Sequence, residues 1–296
     1  MDDLILGAVD GYDFYEVEPF LVSLRQTDFA GRLVLFAGPG ISARTCRKMV
    51  RLGAEVLRFT DRFPFVADPH PDNVKRLPTP IHICNSRYFL YYDYLLKHGS
   101  RFRNVLITDV RDVVFQRNPF DFDVADSICV AMENSDIPIR KCPWTAPWVI
   151  AAFGQDRLEE IGDKEMSCSG TTLAPAPLMK RYLRTMLGEI AVMNSADAYL
   201  DQAAHNVLLH RGAIEPTQRL SNFEGPILTI GSETRYWLND ARELVNRDGS
   251  VIAVVHQYDR HAELARIVDA RTRPSKIRRI AARTAFRFKK RLAALI

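Results

Sequence analysis

The chain has 296 residues, 47% hydrophobic and 26% charged, with a formal net charge of +4. This arithmetic supports a substantial buried core and excludes a disordered chain, and the ordinary glycine and proline content without a fixed-period repeat excludes collagen-like and solenoid architectures. No run approaches the roughly 18 apolar residues that span a bilayer. The five scattered cysteines (Cys46, Cys84, Cys129, Cys142, Cys168) contain no Cys-x-x-Cys pair for a zinc site and read as cytosolic thiols. The acidic start Met1-Asp2-Asp3 lacks the basic region and long apolar core of a signal peptide, so the expected location is cytoplasmic.

Residues 3–9 (DLILGAV) read as a buried strand that ends at Asp10-Gly11-Tyr12-Asp13. Residues 16–26 place Phe20, Leu21 and Leu24 at helical spacing, and residues 32–37 form the next strand, closed by Gly38-Pro39-Gly40. Ser42 caps a helix toward Leu52, and residues 54–59 make a third strand. Proline-rich residues 64–80 form an irregular connection to an aromatic-rich helix at 86–98. Strands follow at 104–108, 127–132, 169–173 and 251–255, with helices at 177–193 and 201–209. Alternation of this kind predicts an α/β fold, a mostly parallel sheet with helices on both faces. Ligands of such sheets sit beyond the carboxyl ends of strands, where Asp10, Asp109 and His256 would converge.

The strongest local signal is residues 105–115 (VLITDVRDVVF), an apolar strand broken by two acids around a base. Two carboxylates completed by an imidazole and diphosphate oxygens suit a hard divalent ion. The plain alternative is an Arg111 ion pair with Asp109 that merely finishes the strand.

These residues resemble the GT-A glycosyltransferases, and more narrowly the glycogenin-like nucleotide-diphospho-sugar transferases, over most of residues 3–261. The resemblance implies a GT-A, Rossmann-like catalytic domain over 1–265 with a mixed, mostly parallel sheet. It implies Mn²⁺ or Mg²⁺ held by Asp109, Asp112 and His256. Asp112, ahead of Val113-Val114-Phe115, matches the second acid of the Asp-x-Asp motif, whereas Asp109 matches the first only with one residue inserted. Residues i and i+3 do not share a face of an extended chain, so the pair requires a turn between them. By the same resemblance Val9, Asp10 and Tyr12 hold the nucleotide base and ribose. Ser169 and Gly170 lie beside the donor sugar, with Cys168 where the family has asparagine. Asp201 and Gln202 contact the transferred sugar, although Asp201 reads equally as a helix N-terminal acid facing the dipole. Arg87 is directed at the donor phosphates or lies on a solvated helix face, and Arg260 with His261 takes the role of the lysine that follows the family's metal histidine.

The activity so implied is transfer of a sugar from a nucleoside-diphosphate sugar, with UDP as the nucleotide and with retention, to a glycan or lipid-linked acceptor. An inactive membrane-associated binding module is the non-enzyme alternative. A sugar nucleotidyltransferase would need a Gly-rich triphosphate loop that is missing. From Arg271 onward there are ten basic residues and no acid, which leaves 30 basic against 36 acidic upstream. Residues 272–296 read as a basic amphipathic helix that either lies on an anionic membrane, making the protein peripheral on its inner face, or packs on the catalytic domain. No nucleic-acid motif accompanies the charge.

Overall fold

Alternating apolar strands and amphipathic helices build a central sheet in the computed structural model, which describes residues 1–60, 82–195 and 199–273. The chain opens with β1 (Asp2–Val9), α1 (Phe14–Arg25), β2 (Arg32–Ala37), α2 (Ala43–Arg51) and β3 (Glu55–Arg58). It continues through α3 (Ile83–His98), β4 (Phe102–Thr108), β5 (Val113–Phe115) and β6 (Ile128–Met132). Then come α4 (Thr145–Phe153), α5 (Gln155–Ile161), β7 (Ser167–Pro175), α6 (Ala176–Ala191) and α7 (Leu200–His210). The last elements are β8 (Thr217–Leu220), β9 (Ile227–Thr229), β10 (Trp237–Leu238), β11 (Leu244–Val245), β12 (Val254–His256) and α8 (Ala262–Thr272).

The main sheet has strand order β3-β2-β1-β4-β7-β6-β8, and only β7 runs against its neighbours. The α/β class with a mostly parallel sheet therefore holds. Both faces of the sheet are covered, which is why its strands read as nearly continuous apolar runs. Leu4, Leu6, Val105 and Ile107 face α3, α6 and α7, while Ile5, Val9, Leu35 and Leu106 alternate to the other face against α1 and α2. Each such side chain, fully buried, contributes about 1.5–3 kcal/mol.

Helix starts follow their caps. Asp13 accepts from the Tyr15 and Glu16 amides, and Glu16 returns a bond to the Asp13 amide, so α1 begins two residues before the apolar period does. Ser42 caps α2 through the Thr45 amide at 3.1 Å. His82 accepts from the Cys84 amide and starts α3 three residues earlier than the sequence pattern indicates.

Other differences are topological. The apolar run at 251–255 shortens to β12, which belongs to a separate three-stranded sheet ordered β5-β12-β9. Helix α4 carries no periodic signal, because its segment TAPWVIAAF has no charged face to set a helical period, and α5, α8, β5 and β8–β11 are likewise not expected from the sequence. Helix α8 packs on α1, with Leu264 buried, and the Gln26 side-chain amide donates to the Arg271 carbonyl. The packed chain thus continues past residue 265. The proline-rich connection at 64–80 and the basic segment from 274 to 296 lie outside the described residues. No described helix is long and apolar enough to cross a membrane.

Candidate active site

The carboxyl ends of β1, β4 and β6 and the start of β7 meet at one edge of the main sheet, and the second sheet closes over it. Between them lies a cleft of about 580 Å³. Asp109 follows β4 and donates its backbone amide to the Gly170 carbonyl in β7 at 2.8 Å. The chain then bends through Val110 and Arg111. Val110 turns into the core beside Gly7 of β1, where a Cβ would stand 2.5 Å from the valine methyl. That tuck supplies the turn the i,i+3 spacing needs, and both acids reach the cleft.

His256 arrives from the second sheet. It pairs in register with Val113, and the Gln257 amide extends the ladder to the Asp112 carbonyl at 2.7 Å. Gln257, at φ 63° in the left-handed region, reverses the chain immediately afterwards. One ligand atom from each of Asp109, Asp112 and His256 consequently falls within 4.8 Å of the others. The His256 Nε2 stands 3.3 Å from Asp109 Oδ2 and 3.6 Å from Asp112 Oδ1, yet it makes no hydrogen bond. Three ligand atoms this close together, two carboxylate oxygens within ion-pair reach of a buried nitrogen that lacks a hydrogen-bond partner, fit a bound cation. Behind the ring, Cys168 Sγ contacts Nδ1 at 3.4 Å and fixes its orientation. This is the local consequence of the cysteine at 168.

Charge around the triad is balanced by position. Burial would depress the His256 imidazole, but Cys168 and the carboxylates of Asp112 and Asp109 hold it well above the usual histidine value. Burial would raise Asp109, and Arg87 followed by His256 overrides it to hold the carboxyl far below the usual range. Asp112 is held low chiefly by His256 against the same burial. Arg111 pairs with Asp259 at 2.7 Å and Asp112 at 3.1 Å, so the Asp109–Arg111 pair, the alternative to a metal site, does not form.

Arg87 is buried in α3 and bridges Asp109 and Asp201, the latter at 2.8 Å. It does not lie on a solvated helix face. Asp201, in the first turn of α7, also accepts from Ser169 Oγ at 3.1 Å and the Tyr88 hydroxyl at 3.3 Å. Burial nevertheless pushes its carboxyl up, more than Arg87 lowers it. Gln202 faces the cleft and donates to Glu133 Oε1 at 3.0 Å. Asp10 lines the cleft while accepting from the Gly11 and Gly40 amides at 3.0 and 2.7 Å, and Tyr12 lies beside it. Val9 differs from these. Its side chain is fully buried in the core, and only its backbone reaches the strand end, where its carbonyl accepts from Gly38. Arg260 lines the opposite wall, where Gly231 leaves it room: a Cβ there would lie 2.7 Å from the guanidinium.

Several lining groups are not expected from the sequence, Glu133, Trp144, Trp148, Thr145 and Tyr199 among them. Glu133 follows β6 as Asp109 follows β4, an acid at the end of an apolar run, and burial pushes its carboxyl up. Trp144 and Trp148, before and within α4, form part of the mouth. No family model and no curated protein matches this chain.

Proposed function

We propose that this chain is a glycosyltransferase that uses Mn²⁺ or Mg²⁺ to move a sugar, with retention, from a UDP-sugar or related nucleoside-diphosphate sugar to a glycan or lipid-linked acceptor. The observation that carries the reading is the convergence of Asp109, Asp112 and His256 in a cleft that also holds Arg87, Ser169, Asp201 and Gln202. When bound, the cation neutralises the diphosphate and stabilises negative charge on the departing oxygen.

The chain's own residues do the rest. Asp10 shapes the loop at the nucleotide end by holding two glycine amides. Arg260 adds positive charge at the diphosphate. Asp201, fixed by Arg87, Ser169 and Tyr88, presents a carboxylate to the positive charge that develops on the sugar. Gln202 and Glu133 supply hydrogen bonds to sugar hydroxyls.

Calorimetric titration of UDP with and without Mn²⁺, on the wild type and on Asp112→Ala, tests the reading. The wild type should bind UDP only with metal, and the variant should lose that dependence while keeping its circular dichroism. Metal-dependent hydrolysis across a panel of nucleotide sugars then tests turnover. Binding without hydrolysis or transfer would favour a binding module, and metal-independent binding would refute the proposal.

A further inference from the structure

Surface helices normally turn a charged face to water. Helix α4 does not: none of its nine residues is charged. Pro143, Trp144, Pro147, Ile150 and Ala151 are all exposed along it, Trp144 at 65% and Ile150 at 40%. Val192, 51% exposed just past α6, adds a further exposed apolar residue near the same end of α4, since the Asn194 amide donates to the Ala152 carbonyl and ties the two helix ends together. Exposed apolar residues that share one uncharged helix face in this way mark a surface that something covers.

Its chemistry selects the occupant. A stable interface between two copies takes roughly 20–30 residues a side, more than this strip presents. A bilayer interface needs only a few anchors, prefers tryptophan among them, and rewards adjacent cations. Exposed Lys141 stands beside Trp144, and Arg140 next to it pairs with Asp163. Trp144 and Trp148 also line the mouth of the cleft, and the Trp148 ring lies 5.6 Å from Tyr199, itself 53% exposed.

We infer that the strip formed by α4 and Val192 seats in the headgroup–acyl boundary of a phospholipid bilayer, with Trp144 and Ile150 as anchors and Lys141 on anionic headgroups. The cleft mouth then opens at the membrane surface. That orientation suits a lipid-linked acceptor, a consequence that rests on the glycosyltransferase reading, whereas membrane seating itself does not.

The chain has three tryptophans, so each reports separately. In the full chain, a variant retaining only Trp144 (Trp148→Phe, Trp237→Phe) is mixed with phosphatidylcholine/phosphatidylglycerol vesicles containing brominated acyl chains. Trp144 emission should shift to the blue and be quenched, and a variant retaining only Trp237 should show neither. Trp144→Ala/Ile150→Ser should weaken vesicle partitioning roughly tenfold or more with an unchanged melting temperature. Vesicle binding that leaves Trp144 unquenched would place the membrane contact elsewhere on the chain, the basic segment 274–296 included, and overturn the inference. So would absence of vesicle binding together with a dimer in sedimentation that Trp144→Ala abolishes, which would make the strip a contact between copies. Absence of both would overturn it as well. Metal or nucleotide binding enters none of these readouts, so failure here leaves the site reading standing.

Discussion

Gly170 lies so close to His256 that a Cβ at this position would sit 2.4 Å from the imidazole Cε1 and 2.7 Å from Asp109 Oδ2. The glycine is there to let two donor groups of the triad approach one another over the β7 backbone. Gly170→Ala should therefore displace His256 or Asp109 and weaken Mn²⁺ binding by roughly ten- to a hundredfold, without unfolding the protein. Electron paramagnetic resonance titration of Mn²⁺ measures this. Wild-type affinity in the variant would show that the triad does not hold the ion.

Arg87 neutralises two carboxylates at once in a buried setting. Arg87→Met strands Asp201 in the core, and the expected loss of stability is about 3–5 kcal/mol at neutral pH. Burial already pushes Asp201 up with the arginine in place. Without it the folded state holds the proton more tightly still, so stability relative to wild type should fall further as pH rises. Urea denaturation of both proteins at acidic and alkaline pH checks the sign, and a pH-independent difference would contradict it.

Asp201→Asn keeps the shape of the Arg87, Ser169 and Tyr88 contacts but removes the charge. Stabilisation of a cationic sugar is needed mainly in the transition state, so kcat for nucleotide-sugar hydrolysis should fall on the order of a hundredfold while KM changes little. A change confined to KM would make Asp201 a binding residue.

His205 sits between Ser167 Oγ at 2.9 Å and the Tyr182 hydroxyl at 2.7 Å. Burial pushes its pKa down to about 3. The unfolded chain takes up this proton below about pH 6.5, while the folded protein does not until about pH 3. Stability is thus lost as pH falls through that window, by up to about 1.4 kcal/mol per unit. His205→Gln should flatten the slope between these limits and lower stability at pH 7. Denaturation midpoints across the pH series decide it, and an unchanged acid slope would show that His205 is not the group responsible.

Strands β1, β2, β4 and β6 and helices α2, α6 and α7 are legible in the chain because period-2 and period-3.6 burial and helix caps are local properties, written within a few residues of each other. Asp112 and His256 stand out for the same reason, as polar groups at the ends of apolar runs. The pairing of Asp109 with Asp112 is not local. It depends on Val110 filling the space at Gly7, a residue far upstream. Arg87 and Asp201 meet across 114 positions, and His256 reaches the acids through a second sheet that pairs β12 with β5. The α4 strip gives no amphipathic period, since its buried and exposed faces are both apolar. Local chemistry thus determined the elements and most of the reactive groups. Which of those groups touch was decided by packing between distant segments, because a side chain's partner is set by the register of strands and the space a neighbour leaves, and neither is encoded near the residue itself.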